Sequence, residues 1–588
     1  MLHTNESSSS LNKGNFLELL EWYSQRNEEV AKTLNENAPR NNQMTSPKNQ
    51  KELTNACAFE VTRVILEDIR DNVFTLMVDE CRDVSVKEQM GVVLRYVDKR
   101  GYVIERFLSI VHVTDTSAIS LKSAVDELFS KHKLSLSKLR GQGYDGASNM
   151  RGEYNGLNAL ILKENPSARY VHCFSHQLQL VVVAVAKFNR IVCDFFQYVI
   201  MLVNVTGASC KRKDRLRQIE HDRLVESLEK GEIVSGKGKN QEVSLRRSGD
   251  TRWGSHYITI VRLMSMWTSV LKALENVHDD GATEERGMAS SLINKMENCE
   301  FVFVMHLMMY LFGITNELSL ALQQKDQNIV LAINLIGTMK VRLQEFRDNG
   351  WETLLEETNT FCEKVNIPIL NMEEEVLIRG RSRRSGNTTT NLIHFRGGIF
   401  CEVVDKMIVE MNNRFSEAST ELLTCIACLD PRNSFYQFDI DKLIHMAEMY
   451  AEDFSSTDRF MLKQQLQTYI HAVKSQSQFH ANEDLGSLAK QMVESGMNLV
   501  FSLVYRLIEL ALVLPVATAS VERVCSGMKI IKTDLRSRMG DEWMNDSLVI
   551  YMEKENFSKI ENEAILQRFQ CMQTRRTQLS KLASSSNI

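Results

Sequence analysis

Two acidic residues lie where a protein could hold a metal ion. Asp145 lies in the stretch GQGYDGASNM, where three of the chain's 27 glycines fall within six positions. Asp79 ends a short apolar run, NVFTLMVDE, with Glu80 beside it. Two carboxylates in one crevice repel each other unless a cation lies between them, and hard oxygen ligands suit magnesium. These residues therefore predict a cation site, where the glycines let the ion and a phosphate backbone approach.

The surroundings of each acid leave an alternative open. Asp and Gly favour ordinary surface turns for local reasons, so the stretch around Asp145 is also typical of a plain turn. The alternative for Asp79 is an acid at the end of a strand that makes a local hydrogen bond. Glu80 is an alternative ligand for the cation. The elements that these acids connect must decide between the readings.

Those elements form an antiparallel meander followed by helix-crossed strands. The order is β, β, β, α, β, α, β, α, over runs at 72–80, 89–98, 102–113, 117–134, 139–144, 153–164, 168–174 and the segment that follows. This order is compatible with a ribonuclease H-like fold. Since the first and fourth strands would be neighbours in such a sheet, Asp79 and Asp145 are expected to be adjacent.

The length and composition predict a globular, intracellular chain with two or more domains, or with one domain that carries a large insertion. Its 588 residues exceed what one core usually serves, and 43% are hydrophobic and 25% charged. The formal net charge of -5 means that any nucleic-acid surface must be local. Twelve scattered cysteines predict free thiols in a reducing compartment. No signal peptide is predicted, and the apolar run at 499–515 is too short and too charged to span a membrane.

A third acid lies on a predicted helix near the C-terminal end. The segment VATASVERVCSGMKII follows Pro515, and Val521, Val524 and Met528 recur on one helical face. Glu522 does not lie on that apolar face of the helix. Spacing alone therefore indicates a solvated helix acid.

Five ordered motifs resemble the hAT superfamily of DNA transposases. They read FTLMVDECRDVSVKEQ, GQGYDGASNM, HCFSHQLQL, GDTRWGSHY and LPVATASVERVCSGMKIIKTDLRSRM. The chain looks most similar to plant TTF-type zinc-finger proteins with a hAT dimerisation domain, which are related to zinc finger MYM-type proteins. The resemblance covers nearly the whole chain.

The resemblance implies an α/β ribonuclease H-like catalytic domain interrupted by a large all-α insertion, with a C-terminal hAT dimerisation region. It implies that Asp79, Asp145 and Glu522 form a catalytic triad that binds Mg²⁺ or Mn²⁺. The expected domains are a polar segment (1–55), the first part of the ribonuclease H-like domain, which is DUF4371-like (56–258), the helical insertion (259–498), the dimerisation region that completes the fold (499–557) and a tail (558–588).

Two short cysteine motifs receive different interpretations. Cys173 and His176 form a C-x-x-H pair, and zinc would need two further ligands that no nearby pair supplies, so no structural zinc is predicted. The resemblance instead implies that Cys173 and His176 support the active site. Cys425 and Cys428 form a lone C-x-x-C and are interpreted as two thiols on an apolar face.

Candidate DNA contacts lie in the motif GDTRWGSHY and in three basic runs. The resemblance places Trp253 near the DNA that flanks a transposon end, with Arg252 beside it; the alternative is a core aromatic. The runs at 210–217, 237–247 and 379–384 provide local positive charge. Such runs attract phosphates, although they also occur in plain solvated loops.

The C-terminal and N-terminal segments of the sequence lead to predictions about self-association and DNA binding, respectively. Helical segments at 499–514 and 541–557 resemble the hAT dimerisation region, which predicts a homodimer; the alternative is packing against the chain's own catalytic domain. Relatives usually have an N-terminal zinc-binding DNA-recognition module, yet no paired cysteines precede Cys57. Sequence-specific DNA binding is therefore in doubt.

Three functions agree with these observations. The first is a nuclear, metal-dependent DNA transposase that cuts and transfers strands. The second is a non-catalytic, transposase-derived nuclear regulator that dimerises and binds DNA or protein. The third, a cellular ribonuclease H-like nuclease, needs neither the insertion nor the dimerisation region. We expect a hAT transposase-derived protein with DNA and itself as partners, and no membrane or small-molecule substrate.

Overall fold

The computed structural model describes most of the chain as two compact units. The described residues are 13–36, 44–70, 72–152, 155–231, 245, 254–377, 388–416, 421–479 and 482–575. One unit, here called the sheet unit, combines Met1–Cys173 with Cys425–Ile588, and the other, the helical unit, is Phe174–Thr424. These bounds differ from the expected domains, because the helical unit begins directly after Cys173 and ends well before residue 498.

A mixed five-stranded sheet forms the centre of the sheet unit. Its strands are β1 (Phe74–Arg82), β2 (Glu88–Val97), β3 (Val103–His112), β4 (Leu139–Tyr144) and β5 (Arg169–His172). The spatial order is β3-β2-β1-β4-β5. The first three strands pair antiparallel, whereas β4 runs parallel to both β1 and β5. The sheet that the apolar, β-prone runs predict is present, with the first and fourth strands as neighbours.

Helices precede the sheet and connect its strands. They are α1 (Asn15–Ser24), α2 (Glu28–Ala31), α3 (Pro47–Ile69), α4 (Ala118–His132), α5 (Ser148–Arg151) and α6 (Leu157–Glu164). Helix α3 begins nine residues before the predicted start at residue 56, because Ser46 accepts a hydrogen bond from the Asn49 N–H and Pro47 suits the first turn. Ser117 caps α4 in the same way, as its sequence predicts.

The helical unit consists mainly of long helices. They are α7 (Phe174–Phe188), α8 (Arg190–Thr206), α9 (Cys210–Glu229), α10 (Gly254–Ser265), α11 (Trp267–Asp280), α12 (Thr283–Met296), α13 (Cys299–Leu322), α14 (Ile329–Lys364) and α15 (Glu402–Arg414). A short hairpin pairs β6 (Glu375–Leu377) with β7 (Thr388–Thr390), and π-helical turns cover Ile393–Cys401. By length and composition α13 could cross a membrane, but 72% of its most apolar window is buried, as in the core helix of a globular unit.

The remaining helices return the chain to the sheet unit. They are α16 (Glu421–Ala427), which spans the boundary, α17 (Arg432–Phe435), α18 (Ile440–Met449), α19 (Ser456–Ser475), α20 (Leu485–Glu494), α21 (Met497–Val500), α22 (Ser502–Val513), α23 (Ala519–Ile531), α24 (Asp541–Met552), α25 (Lys554–Phe557) and α26 (Asn562–Cys571). Helix α22 packs on β2, α19 and α20, while α24 packs on α3, β3 and α23.

This packing changes the interpretation of the predicted dimerisation helices. The apolar side chains of α22 are almost all buried, and Met544, Leu548 and Val549 of α24 belong to the core on the sheet. The density of Leu, Val and Met at 499–514 and 541–557 is therefore explained by the sheet unit's own core. A dimer interface would have to use other side chains of this region.

Candidate functional site

Strand pairing brings the first two predicted acids to one edge of the sheet. Met77 of β1 lies opposite Gly143 of β4 in a parallel pair. Two residues later, Asp145 follows β4 directly, whereas Asp79 still lies within β1, which continues to Arg82 rather than ending at the acid as its sequence predicts. This is the adjacency expected from the order of elements.

Helix α23 brings the third acid to the same place. The helix packs on β1 and β2, with Val521, Val524 and Met528 in the core. Gly91 of β2 lies directly opposite Asp79, and a Cβ there would come within 2.9 Å of the Val521 Cγ1. A glycine at this position therefore lets α23 approach the sheet, with Glu522 one residue beyond the contact.

The electrostatics of Asp79 follow from this convergence. Burial, together with repulsion from the carboxylates of Glu522 and Asp145, raises the pKa of its carboxyl to about 7. The Glu80 N–H donates to the Asp79 Oδ1 at 3.0 Å, which opposes the increase. Near neutral pH, a proton or a bound cation therefore stabilises the Asp79 carboxyl against this repulsion.

Glu80, the alternative ligand, has different surroundings. The Asn149 Nδ2 donates to its Oε1 at 2.9 Å and to the Thr116 carbonyl at 2.7 Å. Burial and the charge of Asp145 raise the pKa of the Glu80 carboxyl. Asn149 thus holds Glu80 beside the acids, a role that the sequence does not reveal because the two residues are 69 positions apart.

The supporting pair Cys173 and His176 is divided between the units. The Thr518 N–H and Oγ1 donate to the Cys173 Sγ at 3.3 and 3.4 Å, which ties the start of α23 to the end of β5. His176 lies on α7 in the helical unit. His172, which the sequence shows only as a neighbour of the motif, packs its ring against Gly146 next to Asp145.

Two buried ion pairs fix the rest of α23. Near its start, the Ser520 hydroxyl donates to Glu105, which also pairs with Arg95 at 2.8 Å. At its end, the Lys532 Nζ lies 2.7 Å from the Asp83 Oδ2, and both side chains are fully buried. Polar contacts at both ends therefore set the position of the helix on the sheet.

The glycines around Asp145 serve packing within the chain. A Cβ at Gly141, Gly143 or Gly146 would clash with the side chain of Thr75, Pro515 or His172, respectively. The prediction that these glycines make room for an ion and a phosphate backbone is therefore wrong. They let β4 and the following turn lie close to β1, to the chain before α23, and to His172.

One pair of cysteines differs from the predicted free thiols. Cys81 of β1 and Cys525 of α23 form a disulfide, with Cα atoms 5.9 Å apart and 444 positions between them. The other ten cysteines lie outside any disulfide in the described part of the chain. Cys425 and Cys428 are both buried, as expected for thiols on an apolar face.

The carboxylate oxygens of these acids are the type of ligand that a hard cation prefers, although the acids form no complete ligand set. Across the described ranges, no three side chains of His, Cys, Asp or Glu make a ready-made metal group. Magnesium is commonly held by only one or two carboxylates and keeps several waters. A cation here would relieve the repulsion that raises the pKa of Asp79.

The predicted DNA contacts are only partly described. Arg252, Trp253 and the run at 379–384 lie outside the described residues, as does the run at 237–247 apart from Leu245. The run at 210–217 lies on α9. Its Arg212 donates to Glu285 at 2.7 Å and its Arg215 to Asn276 at 2.8 Å, so two of its charges contact the helical unit itself.

Comparisons with known proteins agree with the fold. Residues 1–156 match the family described as "DUF4371: ZMYM1/FAM200, RNase-like domain". The chain is 21% identical over 553 residues to the "52 kDa repressor of the inhibitor of the protein kinase" of Homo sapiens, covering 90% of this chain and 68% of that protein. The Mus musculus protein of the same name is 20% identical over 554 residues, with the same coverage. The chain is thus similar to an RNase-like domain family and to two repressors, which supports a hAT-related, transposase-derived origin at a coarse level.

Proposed function

We propose that this chain is a transposase-derived nuclear regulator that binds DNA as a dimer and holds a divalent cation at Asp79, Asp145 and Glu522. The observation that supports the cation site is the convergence of acids from β1, the end of β4 and α23. The two relatives are named as repressors, which favours regulation. A repressor needs to bind and stay bound, which an RNase-like sheet with a dimer surface can do without cutting.

Strand cleavage is the second candidate function, favoured by the presence of all three acids. A divalent ion would supply the charge that activates a water or a 3′ hydroxyl and stabilises the leaving oxygen. The chain's own contribution is to orient the carboxylates. Because its pKa is near 7, Asp79 can also accept a proton at the site near neutral pH.

Self-association would use apolar side chains that the sheet unit leaves exposed. Ile530 at the end of α23 is 60% exposed, and Leu535 in the next turn is 82% exposed. Tyr551 of α24 is also exposed, and its ring lies against Gly527, one helical turn from Ile530. We call Ile530, Leu535 and Tyr551 the C-terminal apolar face. Two-fold dimers are the commonest protein assemblies, and such a face can pair with its own copy.

Light scattering of the full chain, with and without short duplex DNA, tests this proposal. We expect a dimer at micromolar concentration and a DNA complex that weakens steeply with salt, because phosphate binding releases counterions. Ile530→Asp with Leu535→Asp should give a monomer with weaker DNA binding. Ile119→Asp, at an equally exposed position on α4, should behave as the wild type. A wild-type monomer, or a complex insensitive to salt, would argue against the proposal.

A further inference from the structure

The disulfide between Cys81 and Cys525 joins the two elements that bring Asp79 and Glu522 together. Cys81 lies two residues after Asp79 on β1, and alternate residues of a strand point to the same face. Cys525 lies three residues after Glu522 on α23, and residues at this spacing share one side of a helix. The bond therefore connects the same strand face and helix side that present the two acids.

The disulfide holds the middle of α23, whereas the polar contacts of this helix lie near its two ends. Thr518 is held by Cys173 at the start of the helix, and Lys532 by Asp83 at its end. Between them, Val521 packs against Gly91 on the core side. Within the described ranges, the Cys81–Cys525 bond is the covalent link between the middle of the helix and β1, and it lies close to Glu522 in sequence. Without it, these contacts keep α23 on the sheet, while the side of the helix that bears Glu522 loses its covalent link to β1.

We infer that the Cys81–Cys525 pair is a redox-controlled positioning device for Glu522, so that the cation site is tight when the pair is oxidised and loose when it is reduced. This inference rests on the proposed cation site. Cys81 and Cys525 act through Glu522 and are positioning residues. The consequence is a regulator whose acid cluster responds to the thiol–disulfide balance of its compartment.

The exposure of the two cysteines sets the order of the chemistry. Cys81 is half-buried, whereas Cys525 is 8% exposed. The Cys81 thiolate attacks one sulfur of a small disulfide such as oxidised glutathione, breaks its S–S bond and releases one glutathione thiolate. The Cys525 thiolate then attacks the Cys81 sulfur of this mixed disulfide and releases the second. The protein loses two electrons to glutathione, and the two thiol protons end on the released thiolates.

The test uses the full chain equilibrated with oxidised or reduced glutathione. Peptide mapping should find the Cys81 and Cys525 peptides linked only in the oxidised sample. Hydrogen exchange of residues 519–531 should be slower, and Mn²⁺ should bind about tenfold more tightly, as expected when a ligand's supporting contact is intact. Cys525→Ser should match the reduced wild type under both conditions. Cys57→Ser, a half-buried cysteine of the same unit outside the bond, should match the wild type.

The readouts separate this inference from the proposed cation site. An absent link, or a link that leaves both the exchange of α23 and the Mn²⁺ affinity unchanged, would overturn the positioning role. A link that slows exchange while neither form binds Mn²⁺ would support the positioning of α23 and overturn the cation site. Reduced wild type keeps every side chain, so misfolding of Cys525→Ser does not weaken the comparison.

Discussion

Asp145→Asn is expected to bind DNA as tightly as the wild type and to lose any Mg²⁺- or Mn²⁺-dependent cutting of a cognate DNA end. Asparagine keeps the size of aspartate, and its Oδ1 can still accept the hydrogen bond from the Ala147 N–H. It removes the negative charge that holds a cation. Changing even a supporting partner of a metal ligand typically costs 10- to 100-fold, so the loss should exceed about a hundredfold. Gel analysis of nicked product with salt-matched binding curves measures both effects.

The matched control is Asp534→Asn, which removes an exposed carboxylate of the same unit just beyond α23. It should leave both binding and cutting unchanged. Equal cutting by wild type and Asp145→Asn would exclude Asp145 as a ligand. Salt-dependent binding with no cutting by either protein, on a verified cognate end, would favour the non-catalytic regulator over the transposase.

Lys532→Met is expected to destabilise the sheet unit by about 3 kcal/mol, because it leaves the Asp83 carboxylate buried without its cation. Both side chains of this pair are almost inaccessible to water, and their atoms lie 2.7 Å apart. The Ser85 and Lys87 N–H groups would still donate to Asp83, which limits the loss. Urea denaturation followed by intrinsic fluorescence measures the change. Such a loss is a large part of an ordinary domain's stability.

Lys87→Met is the matched control for this second prediction. Lys87 lies 2.7 Å from Asp541, but its side chain is 42% exposed, so water screens the pair. Its removal should change the urea midpoint little. If Lys532→Met were as stable as Lys87→Met, the buried pair would not be what holds the end of α23 on the sheet.

The sheet and its first two acids could be predicted because their signals are local. Short apolar runs rich in β-forming residues indicate strands, and the order of elements then makes the first and fourth strands neighbours. Asp145 follows β4 directly, and Asp79 lies near the carboxyl end of β1. The start of α3 was less predictable, since the Ser46–Pro47 cap lies within a polar stretch that has little apolar periodicity.

The contribution of α23 depends on contacts between residues far apart in sequence. By spacing alone Glu522 is an exposed helix acid, and only the resemblance assigns it to the site. The contacts of Gly91 with Val521, of Cys81 with Cys525 and of Asn149 with Glu80 likewise join residues far apart in sequence, so the sequence does not reveal them. The glycines near Asp145 led to a wrong prediction for the same reason, since a sequence does not show which side chains pack against the Cα of a glycine. Composition also cannot tell an apolar helix of the core from one of an interface, as α22 demonstrates.

The central claim is that Asp79, Asp145 and Glu522 share one divalent cation, and Mn²⁺ binding to the full chain tests it most directly. Electron paramagnetic resonance titration should find one tight ion per chain. Because the cation replaces the proton that Asp79 holds with a pKa of about 7, affinity should rise between about pH 6 and pH 8. Asp145→Asn and Glu522→Gln should each weaken binding by more than about tenfold. Mn²⁺ binding that neither variant changes, or no tight binding by the wild type at about pH 8, would contradict the account.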